Sequence, residues 1–350
     1  MATSTSGTPG ELFGASGRHA RVVVLTVTEK EFPLAKDVFG SCEPIVDVDM
    51  LGAWTHRSFA DQDHLPFVLV RAVSRSNLGA GHDVNHWVRN FRPQAFILVG
   101  TAGGVWRPNG PDRKKWKGPL RGDVMVSEFV HYGDYSKVTP RETLPRYLRL
   151  EQPADDLLYQ AMQLADEPTM WQPWLGPAWE GQLTMPSVHE EEFLSGEQIQ
   201  DDPLHATQQY LMKSFDRAGA VEMESAGLAQ ALHSLRVTAT YAPGFISVRG
   251  VSDLIWARDR AGKLRSRDVK KAKKFDTRNA AGADVGAQAT SAAQADERED
   301  WSPRAAASAS AFALALVRRV VARTVDPTVG HPAVPSFDIQ MSDPTSNLES

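Results

Sequence analysis

Runs of β-branched and aliphatic residues alternate along this chain with stretches whose apolar positions recur every three or four residues. The first run, RVVVLTV at residues 21–27, is followed at once by EKEFPLAKDVF with helical spacing, so a strand feeds a helix. LPFVLVRAV at 65–73 repeats the pattern, leading through SRSNLGAG into a helix that ends near Phe91, and QAFILVG then reads as a fully buried strand. Later, GDVMVSEFVHYGDY and PGFISVRGVSD have strand character, AVEMESAGLAQALHSL begins a helix near Glu222, and the stretch from Trp301 is an amphipathic, alanine-rich helix. Ser302 is its expected N-cap, Pro303 its first helical residue, and basic residues fill its last turn. Strands alternating with helices predict a three-layer α/β/α domain around a mixed central sheet.

Between these elements the composition changes in ways that mark excursions. Residues 106–121 are rich in Pro, Gly, Lys and Trp and read as a surface insertion. Residues 140–186 carry helical signal, an acidic patch and Trp171, Trp174 and Trp179, which suits a lid or a dimer-facing subregion. Ordinary packing is the plainer account of those tryptophans, and stacking on a base the sharper one. Residues 258–299 turn basic and then Ala/Gly/Gln/Ser-rich, a composition expected to be mobile. Residues 1–19 read as a flexible leader and 326–350 as a tail, leaving one decorated domain over 20–325.

Charge and cysteine narrow the function classes. Of 350 residues, Lys+Arg number 38 and Asp+Glu 43, a formal net charge of −5 that offers no global attraction to nucleic acid or an anionic membrane surface. Cys42 is the single cysteine, without companion thiols for a zinc site, and the histidines are scattered, so neither metal nor cofactor is implied. No apolar run looks long enough to cross a bilayer and no secretory signal is evident, which places the chain in the cytoplasm with a small-molecule partner.

Three patterns carry chemistry together: VGTAGGV after a buried strand, AVEMES at a helix start, and VRGVSD at a strand end. In a doubly wound sheet the carboxyl ends of strands share one rim, where ligands bind. Singly each is weak. A glycine turn at Gly100, Gly103 and Gly104 is more often only a turn, Glu222 and Glu224 at a helix start should diverge and merely favour its dipole, and Asp253 after Ser252 suits a loop.

In combination and order, these motifs resemble the nucleosidases that cleave methylthioadenosine and adenosylhomocysteine, within the nucleoside phosphorylase superfamily. The resemblance runs from Arg21 to Asp253 and resumes in the helix after Trp301. It implies a homo-oligomeric hydrolase of a purine nucleoside or nucleotide. Glu31 in TEKEF would activate the attacking water, with Glu29 one alignment slip away. Asp253 would protonate the purine at N7. Met223 and Glu224 would hold the ribose, and Thr101, Ala102, Gly103, Glu222, Arg249 and Ser252 complete the substrate-binding set. The family's phosphorylases carry a Gly-Asp-Pro turn and arginines for phosphate where this chain reads LTVTEKE and FILVG, so water is the expected nucleophile, phosphorolysis the first rival and a catalytically silent nucleotide sensor the second.

Two departures bear on substrate. The segment matched to the base-stacking aromatic reads LTMPSVHEEEF, with no aromatic between Thr184 and Val188, leaving His189 as a substitute or a surface residue. The closing pattern, VRGVSD followed by a Trp-initiated helix, is similar to longer members that act as antiphage effectors against adenine nucleotides. Arg71, Arg75 and Arg249 fall in rim segments within reach of a 5′-phosphate, although Arg249 equally suits orienting the carboxylates.

Overall fold

The computed structural model describes residues 19–45, 52–109, 115–182, 184–198, 205–239, 241, 243–257 and 291–323. The expected leader and tail, and most of the expected mobile segment, lie outside these residues.

The core strands are β1 (His19–Thr26), β4 (His64–Arg71), β5 (Ala95–Asn109) and β12 (Gly244–Trp256), joined in parallel in the order β12-β5-β1-β4. Short antiparallel strands β3 (Ala53–His56) and β2 (Cys42–Pro44) extend this sheet at one edge. Toward the other, β7 (Val124–Tyr132), β10 (Val188–Ser195) and β11 (Ala218–Glu222) continue from β12, and β11 returns to pair antiparallel with β5 at Gly103 and Gly104. The sheet is therefore open on one side of β5 and closed into a five-stranded ring, β5-β12-β7-β10-β11, on the other.

Alternate residues of the apolar runs go to opposite faces. Val23 and Leu25 join a cluster with Trp87 and Phe91 of α2 (Asn77–Phe91) and Leu228 and Leu232 of α5 (Ser225–Ala239). Val22 and Val24 join one with Phe39 of α1 (Glu31–Phe39), Leu164 of α3 (Asp155–Ala165) and Phe312 of the last helix, α6 (Ser291–Arg323). Burial on both faces is why these strands read as continuous apolar runs. A third, smaller cluster joins the ring to α4 (Ala206–Ser214) through Leu194, Leu211, Phe215 and Ile255.

Several expectations are corrected. The excursion at 106–121 is not wholly a surface feature: β5 continues to Asn109 and turns back as β6 (Lys115–Lys117), Trp106 and Arg121 are buried, and the Trp106 indole donates to the Pro119 carbonyl at 2.6 Å. The tryptophans of 140–186 form no lid. Trp171 packs edge-on to Phe312, Trp179 packs against Trp301 and donates to the Arg304 carbonyl, and Trp174 lies under Arg318. They clamp α6 to the body, so packing is the right account.

The last helix starts before Trp301. Ser302 is an internal residue whose hydroxyl donates to the Arg298 carbonyl, and Pro303 also lies inside the helix. Residues 291–299, expected to be mobile, are its first turns. Residues 298–322 are long and apolar enough to cross a membrane by length and composition, contrary to the sequence reading, but 78% of the apolar window is buried inside the fold. At its point of closest approach α6 sits on a glycine, since a Cβ at Gly250 would lie 1.9 Å from the Ala305 carbonyl oxygen.

Candidate active site

One cavity of about 160 Å³ opens at the carboxyl ends of the parallel strands, the rim where ligands of α/β sheets bind. Its wall includes the whole catalytic and substrate-binding set implied by the resemblance, Glu31, Thr101, Ala102, Gly103, Glu222, Met223, Glu224, Arg249, Ser252 and Asp253, whereas Arg71, also expected at the rim, is not part of it. Arg75, Gln198 and Arg298 join them.

Glu31 is brought in by a capping box. In Thr-Glu-Lys-Glu after β1, the Glu31 amide donates to the Thr28 hydroxyl at 3.1 Å and the Thr28 amide donates back to the Glu31 carboxylate at 3.0 Å. This turns the carboxylate into the cavity, where the Thr101 amide and hydroxyl donate to it at 2.8 and 2.9 Å. Glu29 faces solvent, so the two candidates are separated by geometry. Gly100 makes the approach possible, because a Cβ there would lie 2.4 Å from the Arg249 guanidinium and 3.1 Å from Glu31.

Glu222 is the last residue of β11 rather than the first of a helix. Its carboxylate accepts from the Glu224 and Ser225 amides, capping α5 from the strand side. Arg249, fully buried in β12, donates to Glu222 at 2.5 Å and to Glu224 at 3.1 Å. The two carboxylates therefore converge on one guanidinium, where helical spacing had them diverging. Burial works against the Arg249 charge, but Glu222, Glu224 and Glu31 outweigh it and raise its pKa. Burial is also what pushes the Glu224 carboxyl up, helped by Glu222 and Glu31 and opposed by Arg249, to about 7.

Asp253 follows a register shift between Val251 and Asp253 in the pairing of β12 with β5. Such an irregularity re-aims a side chain. The carboxylate accepts from the Ser252 hydroxyl at 2.7 Å and forms an ion pair with Arg298 of α6, at 3.1 Å from one guanidinium nitrogen and 3.3 Å from another.

Some expectations about the site do not hold. His189 is the second residue of β10 (Val188–Ser195), bonds Asp123 at 2.9 Å and faces a different cavity, at the amino ends of β10 and β11. The segment Thr184–Val188 is thus at the opposite end of its strand from the cavity that holds the motif residues. The loop after β10 is at the cavity end and sends Gln198 to the wall, while residues 199–204 lie outside those described. Arg298 was hidden from sequence reading by the polar, alanine-rich composition around it.

A family model described as the phosphorylase superfamily matches residues 80–318, more than half of the chain. Among solved structures, the 5′-methylthioadenosine/S-adenosylhomocysteine nucleosidase of Neisseria meningitidis, in complex with methylthio-immucillin-A, is similar at TM-score 0.54 and 19% identity, over 85% of this chain and 97% of that one. A putative nucleosidase of the same kind from Borrelia burgdorferi, bound to adenine, gives 0.56 at 16% identity, over 85% and 99%. The futalosine hydrolase of Helicobacter pylori gives 0.52 at 13%, over 86% and 98%. At these identities the likeness is one of fold. No curated protein sequence matches the chain.

Proposed function

Because the chain belongs to the phosphorylase superfamily, we propose that it is a nucleosidase that uses water to cleave the N-glycosidic bond of a purine nucleoside or nucleotide. The observation that carries this reading is that Glu31, Glu224 and Asp253 line one cavity although more than two hundred residues separate the first from the last.

An N-glycosidic bond breaks through an oxocarbenium-like state, which calls for a base on water at one face of the sugar and an acid on the departing ring. Glu31 takes the proton of the attacking water as its oxygen bonds to C1′. Asp253 gives a proton to N7 of the purine as the C1′–N9 electron pair leaves with the base. The products are free base and ribose or ribose phosphate. Glu224 accepts from ribose hydroxyls whose acidity grows as positive charge develops, an interaction stronger in the transition state than before it. An ion-paired Asp253 is not a proton donor, so the Arg298 contact has to open when the base arrives.

Water is favoured over phosphate by how the donors near C1′ are used. The Thr101 amide and hydroxyl and the Thr28 amide already bond the Glu31 carboxylate, and a second anion beside it would be repelled. Two further elements belong to this proposal. Val73 and Leu78, 87% and 83% exposed, lie on the chain on either side of Arg75 and suit an adjoining subunit of a homo-oligomer. The similarity of VRGVSD and the alanine-rich last helix to antiphage effectors extends the substrate class to adenine nucleotides, even though that helix begins at Ser291 and not at Trp301.

The test is base release from adenosine, methylthioadenosine, adenosine 5′-monophosphate and their guanine counterparts, with and without inorganic phosphate. Release without phosphate is expected, and a strict phosphate requirement would make the protein a phosphorylase. Glu31→Gln and Asp253→Asn should each lower kcat by about 10²- to 10⁴-fold with unchanged circular dichroism. A fully active Asp253→Asn removes the assigned acid, and inactivity of Glu29→Gln in place of Glu31→Gln reassigns the base.

A further inference from the structure

Three arginines reach the cavity, and two of them are engaged. Arg249 is held by Glu222 and Glu224, and Arg298 by Asp253. Arg75 also lines the cavity but makes no hydrogen bond or ion pair with any described residue. Four carboxylates share this space, so an anionic ligand is admitted only where a cation is not already neutralised.

The backbone ties Arg75 to one end of the cavity. Ser76, next in sequence, has a φ of 96°, a conformation that costs a non-glycine residue energy and points to a local demand. Its backbone N–H hydrogen-bonds the Glu224 carboxylate, and its hydroxyl accepts from the Gly79 amide at 3.5 Å. The strained turn thus holds Arg75 beside the carboxylate assigned to the ribose hydroxyls. Arg298 lies instead with Asp253, at the end assigned to the base, so the cation freed when that contact opens is at the far end from a 5′ group.

We infer that Arg75 is a substrate-specificity residue that binds an anionic group, phosphate or carboxylate, at the 5′ position of the nucleoside. This deepens the hydrolase reading above and rests on it. A guanidinium fork matches a phosphate or carboxylate with two parallel hydrogen bonds, and an uncharged 5′ group would leave it without a partner. The contact lies away from the scissile bond, so it adds to substrate binding without supplying or removing a proton.

The experiment compares kcat/KM for adenosine and methylthioadenosine, which are uncharged at this position, with adenosine 5′-monophosphate and S-adenosylhomocysteine, which carry a phosphate and a carboxylate. The guanine nucleoside and its monophosphate are run beside them. An anionic substrate should be preferred by about 10- to 100-fold, and which of the two is preferred separates phosphate from carboxylate. Arg75→Ala should bring that ratio close to one and Arg75→Glu should invert it. Equal kcat/KM for charged and uncharged substrates, or a preference that survives both substitutions, overturns the inference while base release leaves the hydrolase reading standing. If no substrate releases its base, that reading fails, and equilibrium dialysis of the same compounds decides the subsite alone. Tighter binding of an anionic compound that Arg75→Glu abolishes supports it, and indifference to the substitution sinks it.

Discussion

Glu224 joins the protein's electrostatics to its chemistry at the scale of a single residue. Its carboxyl, raised to about 7 by burial against the partial compensation of Arg249, changes charge within the working range of most enzymes. The ionised form is the better acceptor for ribose hydroxyls. KM for a nucleoside should therefore rise as pH falls from 8 to 6, and Glu224→Gln should weaken binding while flattening that dependence, as steady-state kinetics across the range would show. The stability effect has its own sign. The folded state binds this proton more tightly than the unfolded chain, whose carboxyl titrates near 4.5, so the contribution is complete below that value and is lost as pH rises through about 7.

Among the elements, the strands were the most legible because burial on both faces leaves unbroken aliphatic runs such as Val22–Leu25, and VGTAGGV and VRGVSD were legible because each continues directly from such a run, inside a strand longer than the run itself. The capping box Thr28–Glu31 was also present in the sequence, but Thr26–Glu29 has the same spacing, and it is the structure, with Thr26 inside β1, that selects Glu31. What escaped depended on contacts distant in sequence. Nothing local says that Trp171 and Trp179 face α6, that β11 returns to β5, or that Arg298 reaches Asp253. Glu222 was misassigned because the end of a short strand and the start of a helix share the residues Val-Glu-Met-Glu. The glycine at 250 allows a test of element packing. Gly250→Val puts a branched side chain against the Ala305 carbonyl, backbone that cannot turn aside, and should lower stability by about 3 kcal/mol, read as an earlier midpoint in urea unfolding.

For the whole molecule, α6 is the piece on which the rest depends. It contributes Phe312, Leu314 and Leu316, all fully buried, to the cluster on one sheet face, and it receives the tryptophan clamp. A chain ending at residue 290 would expose that face of the sheet and lose Arg298 as well. Such a truncation should fail to unfold cooperatively and should bind the dye ANS, whereas the full chain gives one sharp transition.

The double membership of β5 has a consequence for how such a protein diversifies. Gly100–Ala102 lie where this strand has left β1 and not yet met β11, held by β12 along one edge and crowded at Gly100 by Arg249 and Glu31, so the floor of the cavity has little room to change shape. Substitutions there would disturb two halves of the architecture at once. New ligand preferences are therefore expected to arise in the turns beside it, at residues 72–76 and 196–198, where chain can be recharged without unpicking a single ladder.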